Sequence, residues 1–275
     1  MDGIYTMAND RMASFLESFL RSLRRVMPSV PIGVIPFDDS VQKTEQLAAT
    51  YGASLVPPDL TWDLIGKNIY GDEDYRPGVP AYRYYRKFNA FTGPFQTFCF
   101  MDVNTLVLSP LNELGKRLDQ NHDILFLMRS SPKRSIRSDA ARCTLQTLSP
   151  GILSGYNDGF FLSRRNTVDP LHAATLGRNK NLRRIFGMAP EQAFFAWYAT
   201  ICGLRHGLIG ELDPSLQNVS SGKKFLVEKS GDGRFYFLEG PSQGRQAYFL
   251  KWTGQDAAEM KGGKNANLLD LCFSP

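Results

Sequence analysis

The sequence predicts an α/β protein whose mostly parallel central sheet is flanked by helices. The chain begins with strand-like and helix-like segments in alternation, a pattern typical of a doubly wound sheet with helical crossovers. Farther along, the unbroken apolar run Phe98–Met101 is typical of a strand covered on both faces. With 275 residues, 43% of them hydrophobic, the chain is able to bury a full core.

The first part of the chain supplies most of the alternation. The predicted order is strand Gly3–Met7, helix Met12–Val26, strand Pro31–Pro36, a helix ending at Ala49, and strand Leu55–Pro57. In the first helix, apolar residues recur at the spacing of one buried face. Asn9 or Asp10 stands where a side chain would cap that helix.

The remainder continues with helices and strands but includes two irregular stretches. Helices are predicted at Tyr82–Phe88, Leu111–Leu118, Leu171–Ile185 and Pro190–Tyr198, and strands at Phe98–Met101, Asp123–Met128, Gly155–Ser163, Phe225–Glu228, Phe235–Leu238 and Ala247–Trp252. Glycines and prolines loosen the pattern between residues 61 and 80, and residues 129–146 form a polar, basic loop or excursion. Since no repeat or linker divides the chain, we expect a single domain over residues 1–275.

Composition and charge restrict the function. No apolar stretch approaches the roughly 20 residues that span a bilayer, and the N-terminus lacks a signal-like segment, so a cytoplasmic protein is expected. Cysteines and histidines are scattered, without zinc-ligand spacing. The net charge of +5 is modest, and no nucleic-acid partner is expected. Basic clusters suit an anionic substrate or, at Arg178–Arg184 with Leu182, Ile185 and Phe186, a membrane surface, but a solvated face or loop is the more common explanation of any one of them.

The strongest candidate site follows the buried strand. Asp102 and Asn104 carry oxygens at positions i and i+2, where a sheet of this class binds ligands, and could share one hard cation. An ordinary turn explains the same two residues. Upstream, Arg83, Arg86 and Lys87 could offer a cation to a phosphate, or could be the solvated face of an aromatic core helix.

Other α/β enzyme classes lack their motifs here. The sequence has no GxGxxG after its first strand, no GxxxxGK[ST] and no GxSxG. These absences weaken a dinucleotide oxidoreductase, a P-loop protein and an α/β-hydrolase. What remains is a sheet with a candidate cation site and basic groups for phosphates.

Several segments, in the right order, resemble the GT-A fold nucleotide-diphospho-sugar transferases, and most of all the glycogenin and galactosyltransferase-like family 8. The matching segments are Thr6-Met-Ala8-Asn9-Asp10, Lys87-Phe88, Phe100-Met-Asp102-Val-Asn104-Thr-Leu-Val-Leu, Tyr156-Asn157-Asp158-Gly159-Phe and Glu191-Gln192. Together they span roughly residues 3 to 254, most of the chain.

The resemblance implies a glycosyltransferase that moves a sugar from an NDP-sugar, with a UDP-sugar expected, to a glycan, lipid-linked or small-molecule acceptor that it does not identify. It implies transfer with retention of configuration and assigns no nucleophile. It assigns Asp102 and Asn104 to a divalent cation, Mn²⁺ or Mg²⁺, in a DxD-like motif; Thr6, Ala8, Asn9 and Asp10 to the nucleoside; Arg83 and Lys87 to the diphosphate; and Asn157, Asp158, Glu191 and Gln192 to the donor sugar as catalytic residues. Residues 1–110 would then be the nucleotide-binding half, and residues 111–275 the donor-sugar and acceptor half.

Two departures from the family pattern leave alternatives open. Asn104 replaces a second Asp, and Lys251, spaced from Gly254 as in the family's His-x-x-Gly pattern, replaces a metal-binding His. Metal affinity could be reduced, Lys251 could itself neutralise the diphosphate, or catalysis could be lost. The last case would make the chain a catalytically silent sugar-nucleotide-binding protein. A nucleotidyltransferase is a further alternative, but the expected Gly-rich basic loop is missing.

Overall fold

The computed structural model describes residues 1–118, 121–129, 136, 139–148, 156–179, 181–187, 190–212, 226–239, 243–251 and 268. The strands are β1 Gly3–Ala8, β2 Ile32–Pro36, β3 Ser54–Leu55, β4 Asp74–Arg76, β5 Val79–Pro80, β6 Thr97–Met101, β7 Thr105–Val107, β8 Ile124–Arg129, β9 Tyr156–Arg164, β10 His206–Leu208, β11 Val227–Lys229, β12 Phe235–Phe237 and β13 Phe249–Lys251. The α-helices are α1 Ala13–Val26, α2 Gln42–Thr50, α3 Leu60–Tyr70, α4 Asn112–Gly115, α5 Asp139–Leu148, α6 Pro170–Gly177, α7 Leu182–Ile185, α8 Pro190–Ile201 and α9 Ile209–Leu212; Asp10–Met12 and Ala81–Phe91 are 3₁₀ helices.

A seven-stranded sheet forms the centre of the molecule, in the order β10-β8-β9-β6-β1-β2-β3. Its strands run parallel except β9, which pairs antiparallel with both β6 and β8. The structure thus confirms the predicted α/β class with a mostly parallel sheet. Because β9 runs the other way, its first residues lie at the same edge as the last residues of β6.

Two apolar cores cover the two faces of this sheet. Helix α1 buries the predicted face, with Phe15, Leu16, Phe19, Leu20 and Leu23 packed against one side. On the other side, α3, α8 and the Ala81–Phe91 helix pack with their aromatic residues against the sheet. Strand β6 lies between the cores, which explains its unbroken apolar run.

The cap predicted for the first helix is wrong. Neither Asn9 nor Met12, at the two helix starts, makes a side-chain cap bond. The Asp10 carboxylate instead accepts from the backbone N–H of Thr44, 3.0 Å away, and from its hydroxyl, 3.1 Å away, at the start of α2. Burial raises the pKa of Asp10, but the hydrogen bonds from α2 outweigh it and lower the pKa below its usual value. The Asp10 carboxylate therefore connects the segment after β1 to the start of α2 through hydrogen bonds.

The segment predicted as an amphipathic helix at residues 82–88 forms a longer 3₁₀ helix, Ala81–Phe91. A 3₁₀ helix has three residues per turn, so residues three apart lie on one face. This period places Tyr82, Tyr85, Phe88 and Phe91 on one buried face, and the last three belong to the core on this side of the sheet. The basic and polar residues between them are thereby separated onto two other faces.

Several other segments differ from the prediction. Helix α3 occupies part of the stretch predicted to be irregular, and α5 overlaps the predicted basic loop. The predicted helix 171–185 is two short helices, α6 and α7. Strand β10 was not predicted; three residues are too few to give a periodic signal.

The basic segment considered for membrane contact packs inward. Leu182 and Phe186 are 1% and 0% exposed and belong to the core beside α3. Two of the three apolar side chains behind the membrane interpretation are therefore unavailable to a bilayer, and Ile185 is half-buried, so the burial of this segment does not support that interpretation. Within the described ranges, no helix is both long enough and apolar enough to cross a membrane.

Candidate donor site at the carboxyl edge of the sheet

The candidate site lies where β1 and β6 end and β9 begins. Asp102 follows the last residue of β6, and its backbone N–H donates to the Gly159 carbonyl of β9 over 2.9 Å. The turn from Asp102 to Asn104 then leads into β7. The sheet thus holds the Asp102 backbone rigidly at its edge, in the crevice where open α/β sheets bind ligands.

Lys251 reaches this edge from the other end of the chain. Strand β13 pairs antiparallel with β7, and the register places Lys251 opposite Thr105. Its Nζ lies 2.5 Å from Asp102 Oδ2. The Lys251 side chain is only 5% exposed and that of Asp102 is 32% exposed, so the carboxylate is the more accessible of the two groups.

A second ammonium lies close to the first pair. Lys87 Nζ is 3.3 Å from Glu191 Oε1, and the two side chains are 3% and 9% exposed. The same ammonium lies 5.5 Å from the centre of the Phe100 ring, on the strand that leads to Asp102. Glu191 stands in the first turn of α8, whose start at Pro190 was predicted.

The two ammonium groups set the charge of Asp102. Burial raises the pKa of its carboxyl, but the charges of Lys251 and Lys87 and the hydrogen bond from Lys251 outweigh burial and lower that pKa. Asp102 is therefore ionised at neutral pH. The site brings together two positive and two negative side chains, with Lys87 and Asp102 from the first 110 residues and Glu191 and Lys251 from the rest.

Tyr84 lies beside this cluster, although the sequence analysis did not select it. Burial and the charge of Glu191 raise the pKa of its hydroxyl to about 12. Its ring packs edge-on against Phe37 at 5.2 Å and against Tyr75 at 5.0 Å between centroids. The three-residue period puts Tyr84 on the same face as Lys87. The three-residue spacing of Tyr84 and Lys87 was visible in the sequence. It corresponds to one full turn in a 3₁₀ helix, which the sequence analysis did not predict.

The residues assigned to the nucleoside lie at the end of β1. Thr6 and Ala8 are buried, and Ala8 belongs to the core that α1 covers. Asn9 is 4% exposed and donates from Nδ2 to Asp38 Oδ2 over 2.6 Å. Among the described residues, Thr6 Oγ1 and Asn9 Oδ1 have no hydrogen-bond partner. Asn9 is thus at the sheet edge with a spare acceptor, whereas Asp10 is engaged with α2.

The two arginines of the 3₁₀ helix point away from Asp102. Arg83 lies 3.6 Å from Asp39, and Arg86 forms a bidentate pair with Asp63, with Nη2 2.6 Å from Oδ2. Arg86 is largely committed to that pair, and the hydrogen bonds of Asp63 raise its pKa further. Of the three cations that precede β6, Lys87 is the one that reaches the charge cluster.

Other predicted site residues are only partly described. Asn104 and Gln192 are half-buried, beside Asp102 and Glu191 in the chain. The backbone of Asn157 and Asp158 opens β9 next to Gly159, but their side chains are outside the description. Gly254 lies outside the described residues altogether. Their roles stay predictions.

Asp102, the expected metal ligand, is already bound by the Lys251 ammonium. In this arrangement the described residues do not form a suitable site for the expected divalent cation. A divalent ion on the same carboxylate would lie within about 4 Å of the ammonium, a repulsion of about 8 kcal/mol at an effective dielectric constant of about 20. Asn104 could add only a neutral oxygen. Elsewhere in the described ranges, no three His, Cys, Asp or Glu side chains converge on a point that could hold a metal.

Comparison with solved structures identifies the fold. An active-site mutant of LgtC matches with a TM-score of 0.60 and 11% identity, over 98% of this chain and 95% of LgtC. The galactosyltransferase LgtC in complex with donor and acceptor sugar analogues gives 0.57 and 12%, over 97% and 94%. The bifunctional glycosyltransferase WbbM gives 0.51 and 12%, over 99% of this chain and 52% of WbbM. No family model and no curated protein matches the chain.

These likenesses extend over nearly the whole chain at low sequence identity, so they establish its fold. The protein has the GT-A fold of these glycosyltransferases, as the sequence predicted. The narrower placement in family 8 stays a prediction.

Proposed function

We propose that the protein is a glycosyltransferase that takes a sugar from a nucleoside diphosphate sugar, with a UDP-sugar as the expected donor. The observation that carries this proposal is the pair of buried ammonium groups, Lys87 and Lys251, beside Asp102 at the ligand-binding edge of a GT-A sheet. Buried charged groups that converge on a crevice are typical of functional sites. LgtC, with the same fold, has been crystallised with donor and acceptor sugar analogues.

The chemistry of such a transfer suits this charge arrangement. The bond between the sugar C1 and the diphosphate oxygen breaks, and its electron pair goes to the diphosphate. The acceptor hydroxyl oxygen forms the new bond to C1 and gives up its proton. Since negative charge grows on the leaving diphosphate, preorganised ammonium groups stabilise the transition state more than the ground state.

Several of the predicted residues have a place in this proposal. Lys87 and Lys251 would contact the diphosphate, and Asn9, which follows β1, would contact the nucleoside. Glu191 and Gln192, with Asn157 and Asp158 at the start of β9, would contact the donor sugar. We assign no nucleophile, and retention of configuration and the nature of the acceptor stay predictions.

Donor hydrolysis tests the proposal without knowledge of the acceptor. Purified protein is incubated with UDP-, GDP-, ADP- and CDP-linked hexoses, and free nucleoside diphosphate is measured. We expect slow release from one donor class, and loss of that release in Lys87→Met because the leaving group loses a cation. A matched control is Lys116→Met, since Lys116 pairs with Glu113 on the surface with its side chain 70% exposed.

The silent binder remains the second candidate, because Lys251 occupies the carboxylate on which the family places its metal. It predicts tight binding of one nucleoside diphosphate in calorimetry together with no release from any donor, with or without candidate acceptors. Absence of both binding and release across the panel would contradict both functions.

A further inference from the structure

We propose that Lys251 is the built-in cation of the donor site, so that the protein binds a nucleoside diphosphate without a divalent metal ion. This inference rests on the proposed function and concerns how the same site neutralises the diphosphate. It assigns to one side chain, fixed by strand pairing, the charge that a metal ion would otherwise supply.

The position of Lys251 is set by backbone pairing and not by a flexible tail. Phe249, Leu250 and Lys251 pair in register with Val107, Leu106 and Thr105, directly after the Asp102 turn. Leu250 is 0% exposed and Phe249 stacks on Phe160 of β9 with centroids 4.9 Å apart. The strand that carries the ammonium is therefore anchored to the strands that carry the rest of the site.

The ammonium is also oriented for a ligand. A lysine ammonium has three N–H donors, and among the described residues Asp102 accepts one from Lys251. The side chain is 5% exposed, so the ammonium is poorly hydrated and gains more from an anionic ligand than a surface lysine would. Asp102, whose side chain is more exposed, accepts one of these N–H groups and holds the ammonium in place.

The ammonium on Asp102 disfavours a divalent cation at this point. Lys251 Nζ lies 2.5 Å from Asp102 Oδ2, and Lys87 Nζ lies 5.5 Å from the centre of the Phe100 ring on the strand that leads to Asp102. A divalent cation would have to displace Lys251 from Asp102 and remain close to two ammonium groups. A diphosphate is attracted by both ammonium groups and repelled by the Asp102 and Glu191 carboxylates, so it must approach each ammonium from a side that its carboxylate does not occupy.

Nucleotide binding with and without metal tests the inference. Affinities for UDP, GDP, ADP and CDP are measured by calorimetry in EDTA and in Mn²⁺. We expect the nucleotide that binds best to show nearly the same Kd in both buffers. Lys251→Met should raise the Kd for this nucleotide at least about tenfold in EDTA, which is the size expected for the loss of one charge-assisted contact. Lys251→His should be as weak in EDTA but regain affinity in Mn²⁺, because imidazole can ligate a metal.

Two controls keep the outcomes distinct. Lys116→Met should bind like the parent protein. Lys251→Met leaves the Asp102 carboxylate without its partner, so the double variant Asp102→Asn/Lys251→Met is made to remove both charges. Circular dichroism checks the fold of this double variant. In EDTA, the double variant should bind the nucleotide as weakly as Lys251→Met does. The inference is overturned, with the proposed function intact, if the parent protein loses binding in EDTA or if Lys251→Met binds normally. Failure of every nucleotide to bind in either buffer overturns both.

Discussion

Lys87 and Glu191, which are 104 positions apart in sequence, form a buried ion pair with Nζ 3.3 Å from Oε1. This pair connects the 3₁₀ helix to the first turn of α8, two helices that pack on the same face of the sheet. Breaking it from either side leaves one buried charge without compensation, and that is more costly than removing both charges together.

A double-mutant cycle on this pair should show strong coupling. We expect Lys87→Met to lower the free energy of unfolding by about 3–5 kcal/mol, since Glu191 is then left charged and buried. The double variant Lys87→Met/Glu191→Gln should recover most of that loss. Urea unfolding of the four proteins measures both quantities. Additive effects of the two single changes would show that the pair is not formed in solution.

Gly66 controls how closely α3 approaches the 3₁₀ helix that carries Lys87. A Cβ at this position would lie 2.7 Å from the Tyr82 Cα and 2.8 Å from its carbonyl oxygen, so backbone would have to move. We expect Gly66→Ala to lower the stability by about 1–3 kcal/mol and to weaken nucleotide binding, because the shift displaces Lys87. Gly231→Ala, with nothing within 4 Å of its Cβ, is the matched control. Unchanged binding in Gly66→Ala would mean that Lys87 is positioned independently of α3.

His206 should make the stability depend on pH in mildly acidic solution. Burial, with a contribution from His122, lowers its pKa from 6.5 to about 4. The unfolded chain then binds a proton first as the pH falls below 6.5, so stability decreases down to about pH 4. The stability lost in this way is at most about 3 kcal/mol, since one pKa unit corresponds to about 1.4 kcal/mol.

Urea unfolding between pH 7 and pH 4.5 checks this dependence. The slope of the free energy of unfolding against pH should be reduced in His206→Gln and kept in the control His172→Gln. The His172 side chain lies beside Tyr198 of helix α8. An equal slope in the parent protein and in His206→Gln would mean that His206 is protonated as readily in the folded state as in the unfolded one.

The sequence was sufficient for the features that depend on local pattern. The buried strand before Asp102 was predicted because a strand between two cores must be apolar on both faces. Helix α1 was predicted because its buried face repeats every 3.6 residues. Lys251 entered the site only through the family spacing, because strand pairing between β13 and β7 leaves no local signal.

What the sequence could not supply depends on packing between distant elements. The contact of Lys87 with Glu191 is one example, and helix α3 is another. Gly66 weakened the helical prediction for α3, yet it is present because the Tyr82 backbone leaves no room for a side chain. The period of the 3₁₀ helix was visible as Tyr82, Tyr85, Phe88 and Phe91, but an amphipathic α-helix is the more common explanation of an aromatic face.

The three-residue period predicts that Arg86 and Lys87, adjacent in the sequence, have separate roles. Arg86 is 5% exposed and its guanidinium makes a bidentate pair with Asp63, whereas Lys87 faces Glu191 and the site. Arg86→Lys should lower the free energy of unfolding by about 1–3 kcal/mol, because an ammonium cannot reproduce the two parallel bonds. The Kd for the bound nucleotide should change less than about twofold, because Arg86 meets Asp63 on a different face of the 3₁₀ helix from the face that carries Lys87.

Lys87→Arg keeps the charge, but arginine is larger than the buried site of Lys87. We expect this variant to weaken nucleotide binding and to have the smaller effect on the free energy of unfolding. Paired urea unfolding and calorimetry on the two variants measure both effects. If Arg86→Lys weakens the nucleotide as much as Lys87→Arg does, the two cations share one surface, and the division of this helix into separate faces is wrong.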